Sequence, residues 1–261
     1  MRYGFCTGFA STPLWAIQGS MLARIRDAGF DYAELPAMSF ADMDPCGFSS
    51  VLGAFDTPVA CNLFPGRIPL VSWERDLCVI CDYLDVVLSR AVSLGIGKIV
   101  FGSGASRSYD PSCMSFDEAM ERLRELVSSV VVPKASEYGV TILLEPLKRG
   151  ECNLINTVEE GYSFVRDISS PWFLLMADIY HMNSNGEPLS SLEASLDVVH
   201  HIHIAGSERS LEDTLCNPYI LRALSLLKSR GYDETISFET CDGDMAAALK
   251  TLKAIILQSG T

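Results

Sequence analysis

The sequence predicts an α/β protein, a single (β/α)8 barrel (TIM barrel) spanning residues 1–261. Three observations point there. Eight short runs rich in aliphatic, aromatic and β-branched residues recur along the chain, each followed by a polar or glycine-containing patch and a mostly helical stretch. The runs are nearly continuous in apolar residues, as strands are when both faces of a parallel sheet are covered. The repeat averages about 33 residues, the size of one βα unit. A doubly wound open sheet, the competing architecture, would carry a GxGxxG phosphate loop after its first strand, and the segment there reads GFCTGFAST.

Taken in order, RYGFC (2–6) leads to a helix around 15–28, and DYAEL (31–35) to a weakly patterned stretch at 41–55. PVACN (58–62) precedes a long amphipathic run over 73–94, and KIVFG (98–102) precedes a helix over 116–138. VTILLE (140–145) is followed by a helix at 157–169, and WFLLMAD (172–178) by one near 189–197. HIHIA (201–205) leads to 218–230, and TISFE (235–239) to 244–257.

Composition narrows the function. At 48% hydrophobic residues the chain has ample material for a core, which excludes global disorder. No apolar run approaches the ~20 residues of a membrane span. The first residues, MRYGFCTGFASTPLW, lack a basic segment followed by a long apolar one, so a cytoplasmic protein is expected. The net charge of −13 repels phosphate backbones and anionic lipid surfaces, which argues against nucleic acid and membrane partners and leaves small neutral substrates and cations. Nine scattered cysteines read as ordinary thiols of a reducing compartment; Cys78 and Cys81 form a CxxC with no second pair to complete a zinc site.

In a barrel of this kind the active site lies at the carboxyl ends of the strands. The polar residues found there are Glu34, Asn62, Glu145, Asp178, His203 and Glu239, and the last four close four consecutive strands at separations of 33, 25 and 36 residues. Singly, each has a bland reading. Glu145 can pair with Lys148 or Arg149, Asp178 can cap a turn, and Glu239 can be a surface acid. His201 shares a strand face with His203 and is read as a core histidine. Jointly they place three carboxylates and an imidazole at one mouth. Gathered carboxylates raise one another's pKa, and a divalent cation removes the conflict. The mixed oxygen–nitrogen set suits Mn2+, with Mg2+, Co2+ and Zn2+ as alternatives.

The segments FGSGASRS, ILLEPLKRGECNLINT, ADIYHMN, HIHIAGSER and GYDETISFE occur in this order. They resemble the sugar isomerase/epimerase superfamily with a xylose isomerase-like barrel, and within it the ketose 3-epimerases of the tagatose/psicose type. The resemblance covers most of the chain, most strongly from about Gly102 to Glu239. It implies one divalent metal ion held by Glu145, Asp178, His203 and Glu239. Glu145 and Glu239 double as the catalytic acid/base pair, and Glu151, His181 and Arg209 bind substrate, His181 and Arg209 adding positive or donor character. The implied chemistry moves a proton next to a ketose carbonyl through a metal-bound enediolate. Return of the proton to the opposite face epimerises; return to the neighbouring carbon interconverts aldose and ketose. The implied partner is a neutral sugar or polyol-derived ketone, since no basic cluster at strands 7 and 8 offers a phosphate site. Phe5, Phe9 and Trp15 are candidates for a sugar-facing wall, and a homodimer or homotetramer is the implied assembly. SERSLEDTLCNPY departs from the family, whose members carry a longer loop there. Other readings on the same barrel are a metal-dependent dehydratase of a keto-inositol, a non-catalytic sugar-binding barrel, and a three-zinc DNA-repair endonuclease; the last needs many histidines, and the chain has four.

Overall fold

The computed structural model describes residues 1–7, 19–42, 56, 58–241 and 243–258. Eight parallel strands close into a barrel in chain order: β1 (Arg2–Cys6), β2 (Tyr32–Pro36), β3 (Val59–Cys61), β4 (Lys98–Phe101), β5 (Thr141–Leu144), β6 (Phe173–Asp178), β7 (Val199–Ile204) and β8 (Thr235–Phe238), with β8 pairing back to β1. Each strand falls within two residues of its expected bounds. Of the expected helices, those at Leu77–Ser93, Val158–Ile168, Leu189–Ala194, Pro218–Ser229 and Met245–Gln258 are present, as is Gly19–Asp27 from the first expected segment. The candidate wall residues Phe9 and Trp15, the beginning of that first helical segment and most of the 41–55 stretch lie outside the described residues. The helix expected over 116–138 runs as Phe116–Leu126, a π-turn at Val127–Val131 and Val132–Tyr138. Pro133 explains the widening: it has no N–H for the preceding turn, and its ring crowds the carbonyl four residues back.

Local signals start the helices. Asp76 accepts from Cys78 N and Val79 N, and Ser115–Glu118 and Thr157–Glu160 form reciprocal capping boxes. The short helices Gly104–Arg107, Ile179–Ser184 and Leu211–Cys216 were not expected from the sequence, because four to six residues carry no readable period. The thiols of all cysteines among the described residues are free.

Strand alternation sorts the core into two layers. Ile142 and Leu144 pack outward into the large cluster beneath the helices, whereas Leu143 joins Cys6, Tyr32, Val59, Cys61, Val100 and Met176 in the lumen. The same period of two carries the lumen face from Leu143 to Glu145, from Met176 to Asp178, and from Tyr32 to Glu34. Glycine makes room twice. A Cβ at Gly4 would fall 2.1 Å from the Tyr32 ring, and one at Gly102 would fall 2.1 Å from Glu145 Oε2. Gly102 thus lets the Glu145 carboxylate lie across the end of β4.

Candidate active site

The end of β5 sets the first carboxylate. Glu145 N donates to Phe101 O at 3.2 Å, and Glu145 O accepts from Arg107 Nη2 at 2.8 Å, so the backbone is pinned from both sides. Its carboxylate is buried, with Oε1 3.7 Å from His203 Nδ1. Asp178 closes β6. One of its oxygens caps the next helix by accepting from Tyr180 N at 2.8 Å; the other, Oδ2, is buried and has no hydrogen-bond partner. His203 lies in register with Asp178 on β7. Glu239 follows β8, its N–H donating to Ile204 O at 3.1 Å, and its Oε1 sits 3.8 Å from His203 Nδ1. Its other oxygen accepts from Arg209.

The four residues expected as metal ligands are therefore brought together. Asp178, His203 and Glu239 offer ligand atoms within 4.8 Å of one another, and so do Glu145, Asp178 and His181. His203 Nδ1 and Asp178 Oδ2 are orphaned buried atoms, one a nitrogen and one an oxygen, facing the same space. Buried polar atoms are seldom left unpaired, and a cation satisfies both. The donor set, carboxylates with one imidazole and no thiolate, fits a hard to intermediate divalent ion.

Electrostatics agree with that fit. Burial raises the Glu145 pKa well above the carboxylate range, and Glu239 and Asp178 add to the rise against the opposing pull of His203. Burial also raises Asp178, partly offset by His203 and Arg209. Burial alone would depress His203, but Glu34, Glu239 and Glu145 overcome it and raise its pKa well above the usual histidine value. The ion-free cluster thus holds protons where a divalent cation would hold charge.

The substrate-side residues also converge. A cavity of about 270 Å³ is lined by Asn62, Ser103, Gly104, Glu145, Leu147, Glu151, His181, Arg209 and Glu239. Its size suits a small polar molecule at the low end of ligand pockets. His181 Nε2 is 3.4 Å from Asp178 Oδ2 and 3.9 Å from Glu151 Oε2. Burial lowers its pKa to about 4, so at neutral pH it offers a donor or a lone pair, and the positive character expected of it falls to Arg209 alone. Arg209 stacks 4.0 Å over the Tyr180 ring. Lys148, one of the residues the bland reading paired with Glu145, instead bonds Tyr180 Oη at 2.5 Å and Glu151 at 3.1 Å.

Three of the non-glycine residues with left-handed backbone, Asn62 (φ 55°), Ser103 (φ 45°) and Arg209 (φ 48°), line this cavity. Ser103, Gly104, Leu147 and Tyr180 escaped the sequence reading. The glycines of FGSGAS were the available signal, since a Cβ at Gly104 would meet Glu151 O at 2.5 Å. Arg107 was missed as well; it is wholly buried beside Glu145, with Nε and Nη1 unpaired among the described residues.

Closed barrel and carboxylate–imidazole mouth together define an enzyme of the barrel class with a candidate divalent-cation centre. A family model described as the xylose isomerase-like TIM barrel matches residues 22–256, and the chain belongs to that family. It is 33% identical to an L-ribulose 3-epimerase of Methylomonas sp. over 246 residues, covering 88% of this chain and 82% of the relative. It is 26% identical to an L-ribulose 3-epimerase of Mesorhizobium japonicum over 227 residues, covering 86% and 75%. A solved structure of an L-ribulose 3-epimerase superposes with a TM-score of 0.82 at 23% identity, over 99% of this chain and 94% of that one, which is a likeness of fold. The protein is an enzyme of the isomerase class. No helix among the described residues is long and apolar enough to cross a membrane.

Proposed function

We propose that the chain is a divalent-metal-dependent ketose epimerase acting on a neutral monosaccharide, with Glu145 and Glu239 as the acid/base pair. The observation that carries this reading is the placement of both glutamates in the lining of one cavity, each with an oxygen less than 4 Å from the orphaned His203 Nδ1. Glu145, Asp178, His203 and Glu239 would hold the ion. A divalent ion, Mn2+ by preference, supplies a Lewis acid for neighbouring carbonyl and hydroxyl oxygens and so lowers the barrier to forming an enediolate.

The remaining work falls to the chain's own groups. One glutamate takes the proton from the carbon beside the carbonyl, and the second returns a proton to the same carbon from the other side. Arg209, stacked on Tyr180 and paired with Glu239, fixes the orientation of that carboxylate and presents positive charge to a substrate oxygen. His181, neutral and buried, donates to or accepts from a second oxygen. Glu151 and Asn62 complete the polar wall. Return of the proton to the neighbouring carbon would make the same site an aldose–ketose isomerase.

Incubation of the Mn2+-loaded enzyme with a panel of ketoses in D2O tests this. Solvent deuterium is expected at a carbon next to the carbonyl of at least one sugar, together with its epimer. A panel with no exchange in any sugar would sink the reading. Loss of water to an enone-type chromophore would replace it with a dehydratase.

A further inference from the structure

The lumen holds a second group of ionisable residues directly beneath the proposed ion. Glu34 on β2, His201 and His203 on β7 are fully or almost fully buried. His203 turns its Nε2 away from the mouth and toward Glu34, at 3.0 and 3.1 Å from the two carboxylate oxygens. His201 Nε2 lies 3.1 Å from Glu34 Oε2, and His201 Nδ1 lies 2.8 Å from Thr235 Oγ1. The backbone of Glu34 is fixed too: its carbonyl accepts from both Thr7 N and Thr7 Oγ1 at 2.8 Å.

Bonding at this level is complete, whereas the level above is not. Both Glu34 oxygens and both His201 nitrogens have partners. The buried atoms without partners include His203 Nδ1 and Asp178 Oδ2, on the mouth side, and none belongs to Glu34 or His201. A second cation between Glu34, His201 and His203 would have to displace hydrogen bonds that already satisfy every atom, so the deeper group reads as a support and not as a second site. The thiols of Cys6 and Cys61 lie beside it and are engaged as well, Cys6 with Cys61 at 3.4 Å and Cys61 with Leu35 O at 3.6 Å.

We propose that Glu34 is a positioning residue for the metal centre: held by His201, whose other nitrogen is bonded to Thr235, it accepts the Nε2–H of His203 and so fixes the imidazole in the tautomer and orientation that aim the Nδ1 lone pair at the ion. A ligating histidine needs its other nitrogen protonated and bonded, and a carboxylate is the strongest neutral-pH acceptor for it. A glutamate reaching across the lumen from β2 serves this better than a backbone carbonyl, because it can accept from both imidazoles at once. This inference rests on the metal centre proposed above and not on the identity of the sugar.

The test is Mn2+ affinity, read by electron paramagnetic resonance of the free ion, in wild type, Glu34→Gln and His201→Gln. In Glu34→Gln one carboxylate oxygen becomes an NH2 that meets an Nε2–H, and His203 loses its partner or its tautomer. Affinity is expected to fall roughly 10–100-fold, with the melting temperature of the metal-free protein little changed. His201→Gln, which leaves the Glu34–His203 bond in place, should lose less. In Zn2+-loaded protein, nitrogen NMR should show His203 protonated at Nε2 in wild type and a second population in Glu34→Gln. Unchanged affinity with a lowered metal-free melting temperature would overturn the proposal and leave Glu34 a merely structural residue. Two ions per wild-type chain, one of them absent in Glu34→Gln, would overturn it in favour of a second metal site. Wild-type protein that loads one ion yet turns over no ketose would refute the proposed activity and leave this inference standing.

Discussion

The two ends of the barrel lumen both carry charge, and they treat it differently. At the amino-terminal end Lys98 Nζ donates to Glu234 Oε2 at 2.5 Å and to His200 O at 3.1 Å, and His200 Nδ1 meets Glu234 Oε1 at 3.2 Å. The charges there neutralise one another at the edge of solvent. At the carboxyl-terminal end Glu145, Asp178 and Glu239 crowd around the imidazoles of His203 and His181, and Asp178 Oδ2, His203 Nδ1 and His181 Nδ1 are buried without hydrogen-bond partners. The first arrangement is complete in itself. The second becomes complete only when something positive joins it. Active sites commonly hold such unfavourable local electrostatics, maintained by a scaffold stable enough to bear them.

Glu239→Gln should separate the two ends most sharply. It keeps shape and Arg209's partner oxygen but removes a proton carrier, and kcat is expected to fall about 10²–10⁴-fold while the melting temperature holds; steady-state kinetics with calorimetry checks both.

Metal affinity at the mouth should next show a steep pH dependence. Burial with neighbouring carboxylates raises Glu145, burial raises Asp178, and the surrounding carboxylates raise His203 against the effect of burial. Protons bound by these groups must leave before an ion can enter, so affinity increases with rising pH, by up to about tenfold per pH unit for each proton displaced. Titration of Mn2+ at several pH values, with proton release followed by an indicator, measures it. A flat profile would mean that the cluster enters the reaction already deprotonated.

Asp178→Asn tests the unfavourable electrostatics directly. The amide keeps the cap on Tyr180 N, removes a buried charge and supplies a donor to the carboxylates around it. Without metal the variant should be more stable than wild type by about 1–2 kcal/mol, and added Mn2+ should no longer raise its melting temperature. Lys98→Met, at the opposite end, should leave turnover unchanged. Burial alone would raise the Glu234 pKa, but the bond from Lys98 carries it below the unfolded value. Its contribution is therefore present above the unfolded pKa and lost as pH falls through the folded one. Removing Lys98 should flatten the acid limb of the stability profile by at most about 1 kcal/mol, because solvent screens the half-exposed pair.

The strand ends were readable because two periods coincide. The alternation within strands and the βα repeat together bring Glu145, Asp178, His203 and Glu239 to one rim, and each is a polar residue at the end of an apolar run. What a side chain does beyond its own strand was not readable. Glu34 stood at a strand end as plainly as Asp178 did, yet its partners lie 167 and 169 residues away and across the lumen. Sequence alternation puts His201 and His203 on one face but does not say which nitrogen of each ring faces the mouth. Arg107 reads as an ordinary charged residue in a loop, and only the structure shows it buried, over the Phe101 ring and bonded to Glu145 O.

The left-handed residues along the cavity have a consequence for design. Asn62, Ser103 and Arg209 hold backbone conformations that disfavour side chains by roughly 1–2 kcal/mol each. The outline of the cavity is thus drawn by main chain, and the side chains at positions 62 and 103 decorate it. Glycine at either position would keep the outline, relieve the conformation and remove one polar contact. Altered substrate preference could be sought there without disturbing the four residues proposed to hold the ion, so the selectivity of this barrel can vary separately from its chemistry.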